Sequence, residues 1–147
     1  MDESSLLLRQ IPHSIEAEQS VLGAMLIDAR CIPDVVEALT GEDFYLKANR
    51  EIYETIYTMF NFSATIDPVT VLDQMKRTGV NDENTSRSYL LQLMEITPTA
   101  ANVKEYIRIV KDKALLRRIA ETAGELTTLV QEGGETAQAV LDLAEQR

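Results

Sequence analysis

The 147-residue sequence predicts an all-α fold, a compact multi-helix head followed by a long helical hairpin. Three observations carry that reading. Apolar residues recur three and four positions apart along most of the chain, the period of a helix with one buried face. No stretch alternates apolar and polar residues as a half-buried strand does. Proline and glycine fall where they cut the periodic sequence into segments of helical length.

The elements follow in order. Residues 1–13 read as a lead-in that runs through Pro12. Ser14 is placed to cap a first helix, with Glu16 and Glu18 in its opening turn, where the helix dipole favours anions. Ile15, Leu22, Met25 and Leu26 then share a face. Pro33 to Leu39 predicts a short second helix, with proline near its start and Gly41 just past its end. Glu42 to Tyr45 reads as a tight turn. Ala48 to Phe62 places Ile52, Ile56, Met59 and Phe60 on one stripe that Tyr53 and Tyr57 widen. Asp67-Pro68 opens the next helix, since the aspartate caps and the proline needs no donor there. Val69, Leu72 and Met75 follow, and Gly79 closes it. Val80 to Ser86 is polar and reads as a loop. Ser88 to Ile96 carries Leu90, Leu93 and Met94 on a face before Pro98.

From Asn102 to Glu132 there is no proline and a single glycine, Gly124. Val103, Tyr106 and Val110, then Leu116, Ile119, Ala123, Leu126 and Val130, form a heptad-like seam with a register change near Lys113. Gly133-Gly134 breaks the helix, and Ala137, Val140, Leu141 and Ala144 begin another. The expected organisation is a head at 14–101 and a hairpin at 102–147. A seam of that length has to bury its apolar stripe. Leu116, Ile119, Ala123, Leu126 and Val130 are therefore expected at an interface with a second copy of the chain.

Composition narrows the chemistry. Fourteen Lys and Arg stand against 24 Asp and Glu, for a net charge of −10, with one Cys, one His and no Trp. Lone Cys31 excludes a disulfide scaffold and reads as a small buried hydrophobe in a reducing compartment. His and Cys are too few for a zinc site. The amino terminus is acidic where a secretory signal is basic, and the longest apolar run is only Ala24 to Ile27. The expectation is a cytoplasmic protein without membrane contact. No Gly-x-x-x-x-Gly-Lys-Ser/Thr and no Gly-x-Gly-x-x-Gly occurs, so no phosphate cradle is expected in this segment. His13 reads as a surface or packing histidine. Glu42/Asp43 and Asp82/Glu83 read as solvated charge, because neither has the spacing of a calcium loop. The segment is thus expected to hold no active site, cofactor or metal of its own.

The charge is uneven. Residues 1–102 carry −9 and residues 103–147 carry −1. Within 104–118, six bases face two acids. Lys104, Arg108, Lys111 and Arg118 fall on one helical face. They form either a solvated face with intrahelical pairs such as Arg108–Asp112, or a docking stripe for an acidic partner or nucleic acid. Phe44, Tyr45, Tyr53 and Tyr57 read as core. Tyr89 reads as core or as a partner anchor.

A family resemblance goes further. His13-Ser14-Ile15-Glu16-Ala17-Glu18-Gln19-Ser20-Val21-Leu22-Gly23-Ala24 resembles the opening of DnaB-type replicative DNA helicases. Glu42-Asp43-Phe44-Tyr45, Ile66-Asp67-Pro68-Val69-Thr70-Val71, Ser88-Tyr89-Leu90, Pro98-Thr99-Ala100-Ala101-Asn102-Val103, Tyr106-Ile107-Arg108-Ile109-Val110 and Leu115-Leu116-Arg117-Arg118-Ile119 follow in the family's order. Where that family often has Gly-Gly before the Tyr-Leu, this chain has Arg87-Ser88. The resemblance implies the N-terminal collar domain of a ring hexamer, a trimer of dimers with paired hairpins. That ring is an enzyme, an ATP-dependent helicase on single-stranded DNA. Its linker and RecA-like domain, with ATP and Mg²⁺, are expected after residue 147. The resemblance also implies binding of the primase C-terminal domain, with Tyr89, Ala120 and Leu126 at positions tied to that coupling, and contact with a helicase loader. The alternatives are a helical adaptor unrelated to helicases, or a DNA-contacting module using the 104–118 stripe.

Overall fold

A computed structural model describes residues 11–80 and 83–146. Among them are seven α-helices, two short 3-10 turns and no strand. The helices are α1 (Ile15–Ile27), α2 (Ile32–Ala38), α3 (Lys47–Asn61), α4 (Pro68–Arg77), α5 (Glu83–Glu95), α6 (Val103–Glu132) and α7 (Ala137–Gln146). The chain divides into two compact units. One is the head, His13–Ala114, and the other contains Pro12 and the residues from Leu115 onward.

Helix α1 is the centre of the head. Ser14 Oγ accepts from the Ala17 amide at 3.2 Å and starts it. Eight of its residues are buried, from Ala17 and Glu18 to the run Val21–Leu26. The one-sided stripe expected from Ile15, Leu22, Met25 and Leu26 is thus replaced by a helix buried nearly all round, as a central helix must be. Gly23 allows the closest approach. A Cβ there would sit 2.6 Å from the Leu93 carbonyl oxygen, so α5 can lie against α1 only because Gly23 has none.

The other head helices bury one face each. On α3, Ile52, Tyr53, Ile56 and Met59 are buried, while Tyr57 stays exposed and stacks on Tyr53 at 6.1 Å. Tyr45 is also exposed, and its ring stacks on His13 at 4.4 Å. Core placement therefore holds for Phe44 and Tyr53 and fails for Tyr45 and Tyr57, of which Tyr57 covers the buried Tyr53 from outside. The α4 start is a reciprocal cap. Asp67 Oδ1 accepts from the Thr70 amide and Thr70 Oγ1 from the Asp67 amide, both at 2.9 Å. Val71 and Met75 point inward, whereas Val69 is exposed.

Helix α5 begins at Glu83, five residues before the expected start at Ser88. Glu83 to Ser86, at the end of the stretch that read as a loop, wind into helix, with Ser86 already buried against the core. Tertiary packing overrides weak local propensity there. Asp82 of the Asp82/Glu83 pair and residues 1–10 of the lead-in lie outside the described residues. The first three turns of α6 belong to the head. Val103, Ile107, Val110 and Ala114 are buried at i, i+4, i+7 and i+11, so the division falls after Ala114, later than the expected boundary at residue 102.

In the second unit, α6 continues to Glu132 and α7 follows a turn in which Gly133 adopts φ +67°, the left-handed C-cap conformation that glycine allows at no steric cost. Thr136 Oγ1 caps α7 by accepting from the Ala139 amide at 3.1 Å. Thr122, Leu126 and Leu129 on α6 and Val140 and Leu143 on α7 are half-buried, and no residue of α7 is fully buried.

One buried carboxylate organises the head. Glu18 is 1% exposed. It accepts from the Tyr45 amide at 2.8 Å, the Leu46 amide at 3.4 Å and Asn49 Nδ2 at 3.0 Å. Leu46 is the N-cap of α3 and has no side-chain cap to offer. Glu18 supplies that anion from another helix, at the end where the dipole favours it. Glu18→Gln places an amide donor against three donors. It should cost about 2–4 kcal/mol in urea denaturation with an unchanged m-value, while Glu16→Gln, at an exposed neighbour, changes little. Cys31 is buried, and that burial pushes its thiol up to about 11. Native chain should react slowly with a disulfide reagent near neutral pH and faster only as pH approaches 11, with urea abolishing the protection.

Candidate interaction surfaces

Tyr89 is half-buried on α5 with its hydroxyl turned inward. The hydroxyl donates to Asn49 Oδ1 and accepts from Gln19 Nε2 at 3.3 Å. Asn49 is fully buried and passes the connection on to Glu18, which can only accept, so both ends of the Asn49 amide are fixed by their partners. Burial holds the Tyr89 hydroxyl above the usual phenol range, with the Glu18 charge adding to the effect and the Gln19 and Asn49 hydrogen bonds opposing it. Tyr89 thus closes a polar chain through α1, α3 and α5. A partner can meet only the exposed part of its ring.

The residues expected at an oligomer interface lie on α6 beyond Ala114. Leu116 is 42% exposed, Ile119 56% and Val130 65%. Leu115 is exposed as well, although the heptad reading did not select it. Ala123 is exposed and Leu126 half-buried, and both line a shallow hollow with Leu115, Arg118 and Ile119. Ala120 is exposed and offers a partner only its methyl group and the nearby backbone. A run of aliphatic side chains facing water on successive turns is the usual mark of a protein-binding face.

The basic stripe is divided among different duties. Lys111 Nζ lies 3.3 Å from Asp43 Oδ2, whose side chain is 2% exposed. Asp43 Oδ2 also accepts from the Thr40 amide at 2.8 Å, closing a capping box. Asp43 is therefore a buried structural acid and not solvated charge. Its spacing from Thr40 was the signal, since a Thr-x-x-acid box needs an acceptor at that position. Arg108 pairs with Glu105 rather than Asp112, with Nε 3.0 Å from Glu105 Oε1. That pairing holds the Glu105 carboxyl below its ordinary range. Lys104 is exposed and Arg118 lines the hollow on α6. Arg117, which the stripe omits, donates to the Pro12 carbonyl at 2.9 Å.

Among the described residues no group of three or more His, Cys, Asp or Glu side chains could hold a metal ion. No helix among them is long and apolar enough to cross a membrane. The sequence has no P-loop.

Residues 10–112 match the family described as the DnaB-like helicase N terminal domain. The chain belongs to that family. An unrelated helical adaptor is thereby excluded. Among the similar proteins are replicative DNA helicases DnaB of Leifsonia xyli subsp. xyli, 38% identical over 135 residues, and of Mycobacterium leprae, 40% identical over 137. That of Geobacillus stearothermophilus is 39% identical over 122 residues. These alignments cover 92%, 93% and 83% of this chain but only 29%, 22% and 26% of the relatives, so the chain spans about a quarter of their length. The crystal structure of the N-terminal domain of DnaB helicase from Mycobacterium tuberculosis superposes with a TM-score of 0.86 at 37% identity, covering 93% of this chain and 96% of that one. The N-terminal domain of DnaB helicase from Helicobacter pylori, described with its interactions with primase, matches at 0.68 and 18% identity, over 89% and 99% of the two chains. The second match speaks to the fold alone.

The family's domain is thus built here around a polar chain that ends at Tyr89. Tyr89→Phe removes the hydroxyl and leaves Asn49 Oδ1 buried without its donor. It should lower stability by about 1–3 kcal/mol in urea denaturation, whereas Tyr57→Phe, on an exposed hydroxyl, should lower it by less than about 0.5 kcal/mol.

Proposed function

We propose that this chain is the N-terminal collar domain of a hexameric, ATP-dependent replicative DNA helicase, and that it works as a protein-binding module. The observation that carries the reading is the exposed aliphatic run of α6, Leu115, Leu116, Ile119 and Val130, in a family member whose head has a closed core of its own. Such a surface gains by covering itself, at roughly 25 cal/mol for each Å² of apolar area removed from water. A second copy provides the same surface in return. Leu116, Ile119, Ala123, Leu126 and Val130 would pair hairpins into dimers, and three dimers would form the collar.

The collar would recruit the primase C-terminal domain, bringing primer synthesis beside unwinding. The family resemblance supports this partner class, and the Helicobacter pylori domain of the same fold is described with its interactions with primase. Tyr89, Ala120 and Leu126 are the residues assigned to that contact, with Tyr89 acting through ring edge and packing. ATP hydrolysis, Mg²⁺ and single-stranded DNA would belong to a RecA-like domain in the part of the relatives that this chain does not span. A helicase loader would complete the set of partners, in the cytoplasm of a bacterium. The alternative of a DNA-contacting face at Lys104, Arg108, Lys111 and Arg118 is weakened by the Lys111–Asp43 and Arg108–Glu105 pairs, which already satisfy two of the four bases.

Ile119→Asp tests the pairing. Ile119 is 56% exposed in the single chain, so the variant should keep its helical circular dichroism. Wild-type chain at micromolar concentration should sediment as a dimer or larger, and the variant as a monomer. An unchanged sedimentation coefficient in the variant would move the interface elsewhere.

A further inference from the structure

Arg117 Nη1 donates to the Pro12 carbonyl at 2.9 Å, a bond between residues 105 apart in sequence. It ties the end of the lead-in to α6 where the exposed aliphatic run starts. Leu115 and Leu116 precede Arg117, and Ile119 follows it at 56% exposure. Leu115, Ile119, Ala123 and Leu126 line the shallow hollow on α6, of about 670 Å³. Ile11 and Pro12, at the tether, are half-buried. The sequence before them carries three consecutive leucines, Leu6, Leu7 and Leu8.

We propose that the lead-in covers this face in its own chain, with Leu6, Leu7 and Leu8 in the hollow on α6, and that it competes there with a second copy. The inference rests on the reading of that face as a pairing surface and supplies its regulation. Reach comes first. A chain spans at most about 3.5 Å per residue, so leucines four to six positions before Pro12 stay within about 20 Å of its carbonyl. A helix rises about 1.5 Å per residue, so α6 from Leu115 to Leu126 extends only about 17 Å. The Arg117 bond thus holds the leucines within range of the whole hollow. Volume is sufficient as well. A cavity of about 150 Å³ accepts a benzene ring, so the hollow has room for several leucine side chains. Concentration then favours the tethered segment. A short tether presents it at an effective concentration of about 1 mM, whereas a second copy arrives at micromolar concentration. Pairing requires both copies to be uncovered, so a cover closed part of the time weakens the dimer by the square of the open fraction. The aliphatic face is protected while chains are dilute and is released to pairing as they concentrate.

Two measurements on the 147-residue chain test it. The first is the dimer dissociation constant, by sedimentation, of the wild type and of a variant carrying Leu6→Ser, Leu7→Ser and Leu8→Ser. The variant should dimerise about tenfold more tightly and keep its helical circular dichroism. The second is photo-crosslinking of dilute chain from a photoreactive leucine analogue in place of Leu7. Crosslinks should form within one chain, on α6 between Leu115 and Leu126, and Arg117→Ala should reduce them. Equal dimerisation of variant and wild type would overturn the competition. Weaker dimerisation of the variant, or crosslinks between chains, would make the lead-in part of the interface and overturn the cover within one chain. Crosslinks confined to the head would overturn α6 as the site. Intrachain crosslinks on α6 in a chain that never pairs would uphold the cover while the pairing reading fails.

Discussion

A carboxylate removed from water must be surrounded by donors, and the head is arranged so that Glu18 is. Its acceptors meet two backbone amides at the start of α3 and the side-chain amide of Asn49. That arrangement dictates where α3 begins relative to α1, because the amides of Tyr45 and Leu46 have to arrive at one carboxyl group. It also fixes Asn49, whose remaining oxygen then has to find a donor and finds the Tyr89 hydroxyl. The consequence reaches α5. Apolar packing of Leu22, Ile56 and Leu93 would tolerate many small rotations of these helices, since the hydrophobic effect has no direction. The polar chain tolerates few, and it selects one packing among those the core permits.

The same economy governs Asp43. Net charge counts it with the solvated acids, yet its side chain is 2% exposed and holds the Thr40 amide while facing Lys111. An acid from the turn before α3 and a base from α6 thereby lock the first turns of α6 onto the head. The total of −10 therefore mixes two populations. Glu18 and Asp43 act on local structure from inside, and acids such as Glu16, Glu42 and Glu54 face solvent. Only the second population shapes the field that a partner feels, and the same division applies to the bases of the 104–118 stripe.

Helix identity and order were legible because periodicity and punctuation agree. Asp67-Pro68, Ser14 and Gly133-Gly134 mark ends by local chemistry alone, and the structure uses them as caps and turns. The α5 start was not legible, because Asn84, Thr85 and Ser86 favour turns locally and become helical through a tertiary contact that no local window contains. The inward role of Glu18 was hidden for a related reason. A glutamate in the first turn of a helix usually serves its own dipole, and here it serves the dipole of another helix 27 residues away. Family resemblance located Tyr89, but only the geometry shows that its hydroxyl is engaged inside the head.

The two units differ in how much each depends on others. The head closes a core of more than twenty buried apolar residues and anchors it with directional bonds, so its shape is its own. In the unit beyond Ala114 no residue of α7 is fully buried and large aliphatics on α6 stand in water. An isolated helix as short as α7 is marginal in water. An aliphatic face of this kind gains stability when it is covered, and the gain rises with the concentration of whatever covers it. A module built this way keeps the fold of its head independent of whether the aliphatic face of α6 is covered, because the head's core is closed without it.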